Sequence, residues 1–152
     1  MVYKLTDNIW WGNADSPKEV GNEVGAVLCL CDNREFKGEQ FNPLDLPAHT
    51  PYFRLTRHDD VAPDTAYMLA LNGIIDITTD MKPILIHCWA GQHRSPNTAL
   101  YTAVRRSGYS AELYKTLRGK MLSLRSDIQW RPFGKYLDDL MQRVCKVPPI
   151  MI

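Results

Sequence analysis

Hydrophobic residues recur along this chain in two rhythms. Ala26-Val27-Leu28-Cys29-Leu30-Cys31 and Ile84-Leu85-Ile86-His87-Cys88 are almost unbroken apolar runs, the pattern of strands covered on both faces. Asn8-Ile9-Trp10-Trp11-Gly12 is a shorter, aromatic strand candidate, and Tyr52-Phe53-Arg54-Leu55-Thr56 is a fourth run. Elsewhere the spacing becomes that of helices. From Asp64 to Thr78, Met68, Leu71, Ile74 and Ile75 recur at helical spacing and line one face. Ser16-Pro17 and Ser95-Pro96 each place a capping residue before a proline, a helix-start signal. The second of these helices carries Leu100, Tyr101 and Val104 on one side and stops at Ser107-Gly108. Ser110 caps the next, with Leu113 and Leu117 inward, and the segment from Trp130 to Val144 turns Phe133, Leu137, Leu140 and Met141 to the core. Strands alternate with helices, and helices then cluster. This predicts an α/β architecture: a small central, mostly parallel sheet of four to five strands flanked by helices on both faces.

The stretch from Asn33 to Pro51 carries Gly38, Pro43, Pro47 and Pro51 without clean periodicity, and reads as one long surface loop rather than a domain boundary. A single domain over residues 1–152 is expected, with 145–152 as an extended tail, because Pro148-Pro149 cannot continue a helix. The composition, 45% hydrophobic and 23% charged, is that of a globular chain rather than a disordered one. Lysine and arginine total 18 against 17 acids, a net charge of +1. That balance argues against coating nucleic acid or an anionic membrane and leaves room for a local basic pocket. No apolar run approaches the roughly 20 residues that span a bilayer, and the polar start Met1-Val2-Tyr3-Lys4-Leu5-Thr6-Asp7-Asn8 does not read as a signal peptide. A cytoplasmic monomer that needs no cofactor is the expectation.

Cysteines stand at 29, 31, 88 and 145, too sparse for a disulfide scaffold. A zinc reading would use Cys29, Cys31, His87, Cys88 and His93. Structural zinc sites usually separate paired cysteines by two to four residues, and a single residue separates Cys29 from Cys31, so no metal is expected. Cys29 and Cys31 read as core packing, or as a thiol placed to trap an oxidised Cys88 as a disulfide.

The informative stretch is His87-Cys88-Trp89-Ala90-Gly91-Gln92-His93-Arg94-Ser95-Pro96. A buried strand ends at a cysteine, a loop with a central glycine follows, and arginine and serine-proline open a helix. Ligands of open α/β folds bind at the carboxyl ends of strands, so Cys88 is aimed at a crevice. If residues 89–94 curl over the sulfur, their backbone N–H groups form an anion nest, and the helix adds its positive end. Gly91 permits the sharp turn. Arg94 can offer two parallel N–H donors to a tetrahedral oxyanion. The same features stabilise a thiolate nucleophile. Ser95 can hydrogen-bond the sulfur and ease its departure, and His87 orients the loop from beneath. An acid for the leaving oxygen is sought in Arg57-His58-Asp59-Asp60, after the fourth strand candidate. None of the other cysteines has this context: six residues beyond Cys29, Cys31 and Cys145 lie Glu35, Lys37 and Met151.

These residues resemble the signature loop of the cysteine-dependent protein tyrosine phosphatases, particularly the small dual-specificity phosphatases. The resemblance extends to Leu5–Gly12, to the helix from Asp64 to Thr78 and, more loosely, to Ser110–Leu140. It implies Cys88 as nucleophile, Arg94 as phosphate clamp, the backbone of Trp89, Ala90, Gly91, Gln92, His93 and Arg94 as cradle, and Ser95 as helper in dephosphorylation. Registering the Asp64–Thr78 helix on the family's places the general acid at Asp59, with Asp60 one residue away. It also implies a phosphorylated protein as substrate. The loop departs from phosphoinositide phosphatases of this kind in having no lysine. Alternatives are a phosphatase for RNA 5′-phosphates or inositol phosphates, a non-catalytic phosphate-binding module, and a sulfur-transferring enzyme of the rhodanese kind.

Overall fold

Strand β5 (Ile84–His87) is the middle of a five-stranded sheet, and each of its residues is buried. The computed structural model describes residues 1–32, 49–56 and 60–146. Its other strands are β1 (Val2–Thr6), β2 (Ile9–Gly12), β3 (Ala26–Cys29) and β4 (Tyr52–Arg54), in the order β1-β2-β5-β3-β4. Among the described strands only β1 runs antiparallel, as a hairpin with β2; β2, β5, β3 and β4 are mutually parallel. The sheet is therefore mixed and mostly parallel, as the apolar runs predict. Strand β1 was not legible in the pattern, because Leu5 is its sole fully buried residue.

The pleat divides the core. Ala26, Leu28, Leu30, Ile84, Ile86 and Cys88 face the larger cluster, beneath helices α2 (Thr65–Ile77), α3 (Arg94–Arg106), α4 (Ala111–Leu124) and α5 (Phe133–Lys146). Val27, Leu85 and Trp10 face a smaller cluster covered by α1 (Ser16–Val20) and the following turn of 3₁₀ helix (Gly21–Glu23), through Val20 and Val24. Both faces are covered, unequally. Trp10 and Trp11 are both buried, because β2 lies inside the sheet with an apolar layer on each side.

Helix α3 is the hub, with residues Arg94 to Val104 all buried between the sheet and α4 and α5. At α1 the capping position is Asp15, without a side-chain bond, rather than Ser16, which is the first residue of the helix; two other starts carry side-chain caps. Asp64 accepts from Tyr67 N at 2.8 Å at the start of α2, and Ser110 Oγ accepts from Leu113 N at 3.1 Å at the start of α4. Helix α3 begins at Arg94 rather than at Ser95-Pro96, which puts Pro96 inside the first turn, where a missing N–H leaves no bond unmade. Helix α5 continues through Cys145 and Lys146, so the expected tail 145–152 is corrected at those two residues. Residues 147–152, like 33–48 of the long loop, lie outside the described residues.

Candidate active site

Strand β5 delivers Cys88 to the end of the sheet, and β2 receives it. Gly12, paired with His87, accepts from Cys88 N at 3.3 Å and from the Ser95 hydroxyl at 2.9 Å. Gly12 is required here by space. A Cβ on it would stand 2.0 Å from Ser16 Oγ, 2.6 Å from Ser16 Cβ and 2.8 Å from Met1 O. The sulfur is the focus of the loop: Gly91 N donates to Cys88 Sγ at 3.2 Å, and Ser95 Oγ lies 3.1 Å from it. Gly91 holds φ 73°, a left-handed conformation that its missing Cβ makes inexpensive.

Residues 89–93 form the predicted loop between strand and helix, and Arg94 is the first residue of α3. Cys88 is 2% exposed and so lies on the floor of the loop, while Trp89 at the rim is 44% exposed. Among the described residues, the backbone N–H groups of Trp89, Ala90 and Gln92 have no acceptor within the protein. A tetrahedral oxyanion over the sulfur would satisfy such donors, with the positive end of α3 behind it. The Arg94 guanidinium is buried and donates through Nη1 to Leu30 O at 3.2 Å, which ties it to the end of β3. His93 turns inward: Phe133 N, at the start of α5, donates to its Nε2 at 3.4 Å.

A brace that the linear pattern did not reveal comes from the α4–α5 connection. Arg125 donates to Ala90 O at 3.0 Å and to Asp127 Oδ1 at 2.6 Å, and Gln92 Nε2 donates to Asp127 Oδ2 at 2.7 Å. Gln129 N donates to Gln92 O at 2.8 Å. Asn97 joins the two segments, its Nδ2 donating to His93 O at 2.8 Å and to Gln129 O at 2.9 Å. Arg125, and then Gln92, lower the Asp127 carboxyl to about 2. Nothing local in the sequence signals these partners, since Asp127 and Gln92 are 35 residues apart.

His87 sits elsewhere than beneath the loop. It pairs with Cys29 across β3 and β5, and its side chain meets Cys29 and Cys31 on the face opposite Cys88. The disulfide trap considered for Cys88 is therefore not supported, because the two cysteines point through the other side of the sheet. Hydrogen bonding to Cys31, and then to His87, holds the Cys29 thiol below the usual thiol range, against burial, which pushes it up. Asp60 is exposed, and Asp59, His58 and Arg57 lie outside the described residues.

No family model and no curated protein matches the chain. Solved structures do. Tk-PTP in its active form superposes with a TM-score of 0.72 at 18% identity, over 93% of this chain and 97% of that one. PTPMT1, in complex with PI(5)P, gives 0.72 at 16% identity over 95% and 96%. Human DUSP28 gives 0.68 at 19% over 95% and 98%. The sheet order, the helices and the strand–loop–helix at Cys88 together give this chain the fold of the cysteine-dependent protein tyrosine and dual-specificity phosphatases.

Proposed function

We propose that this chain is a phosphomonoester hydrolase of the dual-specificity protein phosphatase kind, working through a cysteinyl-phosphate intermediate. The observation that carries this reading is the convergence on Cys88 Sγ of the Gly91 N–H at 3.2 Å and the Ser95 hydroxyl at 3.1 Å, at a helix whose first residue is Arg94. These groups fix the sulfur at the centre of the loop, and a loop of amides beside a guanidinium stabilises a phosphoryl group in transfer.

In the first step Cys88 Sγ attacks phosphorus in line with the ester oxygen. The S–P bond forms as the P–O bond breaks, and Asp59 gives its proton to the departing oxygen. The backbone of residues 89–94 and the two parallel N–H groups of Arg94 hold the three equatorial oxygens. In the second step the Asp59 carboxylate takes a proton from water, whose oxygen attacks phosphorus. The S–P electrons return to sulfur, which Ser95 stabilises, and inorganic phosphate leaves. This route places no metal ion at the phosphoryl group.

Phosphorylated side chains of proteins suit the site better than head groups bearing several phosphates. The loop carries no lysine and its His93 is turned inward, while exposed Trp89 offers an apolar wall. PTPMT1 holds a phosphoinositide on this fold, which makes inositol phosphates the competing substrate class. Hydrolysis of an aryl phosphate by wild type and Cys88→Ser, with and without EDTA, tests the mechanism. Activity that survives Cys88→Ser overturns it. A kcat/KM higher on inositol phosphates than on phosphopeptides overturns the substrate class.

A further inference from the structure

The face of the sheet opposite Cys88 holds a cluster that the reaction does not use. Cys29 and Cys31 come from the end of β3 and His87 from the end of β5, and the three are fully buried. Their Sγ atoms and an imidazole nitrogen lie within 4.8 Å of one another. We propose that Cys29, Cys31 and His87 form a binding site for a thiophilic metal ion, zinc(II), separate from the catalytic thiol.

Three arguments lead there. The donor set is two sulfurs and one nitrogen, the ligand types zinc takes, and all three already point at one spot. A tetrahedral ion with Zn–S bonds of about 2.3 Å holds its sulfurs roughly 3.8 Å apart, so small side-chain rotations bring these three donors to bonding distance and leave the fourth position to a water or another small ligand. Charge selects the ion. Two thiolates cancel the two charges of zinc(II), leaving a neutral complex in a fully buried place, whereas copper(I) would leave a net negative charge there. Both sulfurs bind as thiolates, any proton they carry passing to solvent, and two Zn–S bonds and one Zn–N bond form with no change of oxidation state.

Spacing along the chain argues against zinc, because one residue separates the cysteines. That argument assumes a tight turn. Here Cys29 and Cys31 come from one extended segment whose alternate side chains share a face, and the parallel neighbour β5 supplies the third ligand in register. The ion would pin β3 to β5 one residue before Cys88.

The test is metal content. Full-length protein, stripped with a chelator under reducing conditions, is dialysed against zinc(II), and bound metal is counted per chain. One zinc per chain is expected in wild type and in Cys88→Ser, with loss in Cys29→Ala/Cys31→Ala. X-ray absorption on loaded wild type is expected to show two sulfurs at about 2.3 Å and nitrogen at about 2.0–2.1 Å. This second measurement stands even if the double variant fails to fold. No stoichiometric zinc in wild type, a shell without sulfur, or loss of zinc in Cys88→Ser overturns the proposal. Uptake of copper(I) in place of zinc overturns the choice of ion.

Discussion

Ser95 Oγ stands 3.1 Å from Cys88 Sγ and 2.9 Å from the carbonyl oxygen of Gly12. One hydroxyl proton thus has two acceptors within reach, and charge on the sulfur decides which it serves. In the proposed second step, as the S–P bond breaks, the hydroxyl turns its hydrogen bond from Gly12 O to the sulfur. Ser95→Ala is expected to leave the first chemical step nearly intact and to slow the second. A hydrogen bond to a charged group contributes about 1.5–3 kcal/mol, or roughly 10- to 100-fold in rate. Rapid mixing with an aryl phosphate should show a burst of phenol followed by slow turnover. Loss of the burst in this variant would place Ser95 in the wrong step.

Arg94 is held by Leu30 O at 3.2 Å and opens α3, and in the proposed mechanism its fork clamps two phosphoryl oxygens. Lysine keeps the charge but cannot offer two parallel donors. Arg94→Lys is expected to lower kcat/KM by about 100-fold, the loss of one charge-assisted hydrogen bond and its geometry. A change under fivefold would show that the charge alone suffices.

Gly12 is expected to be intolerant of any side chain. The Cβ of Gly12→Ala would stand 2.6 Å from Ser16 Cβ and 2.8 Å from Met1 O, so the start of α1 must move. Overpacking of this kind costs about 1–3 kcal/mol, a fall of roughly 2–12 °C in Tm at this chain length. Adding Ser16→Ala removes the Oγ contact at 2.0 Å but not the Cβ contact, so rescue should be partial. Complete recovery of Tm would refute the backbone part of the argument.

Asp127 bridges Arg125 and Gln92, which lower its carboxyl to about 2. The folded-state value lies below that of an unfolded aspartate, about 3.9. The bridge is therefore fully formed above about pH 4 and is lost as pH falls through about 2. NMR titration of the Asp127 carboxyl carbon should give a midpoint near 2 in wild type, rising toward the ordinary value in Arg125→Ala. An ordinary midpoint in wild type would remove the bridge as a brace of the loop.

The general acid is separable by leaving group. Asp59→Ala should lose more rate on alkyl phosphates than on aryl phosphates with acidic phenols, since only the former need protonation. Asp60→Ala should be nearly neutral on both. The reverse pattern would move the role to Asp60.

Much of this molecule was legible along the chain. The runs at Ala26–Cys31 and Ile84–Cys88, the helical spacing from Met68 to Ile75 and the cap at Ser110 all report local or near-local physics. Hydrophobic burial imposes a period, and a cap must sit beside the N–H it serves. For the same reason the proposed site from Cys88 to Ser95 was legible: sulfur, glycine, arginine and helix start are neighbours in sequence, and one turn of backbone brings them together. Other features were decided only by folding. Asp127 reaching Gln92, Gly12 receiving Ser95, and His87 turning to Cys29 and Cys31 rather than to the loop depend on which strands and helices lie side by side. No period encodes such partners, because a hydrogen bond or a ligand shell constrains distance in space and is indifferent to distance along the chain.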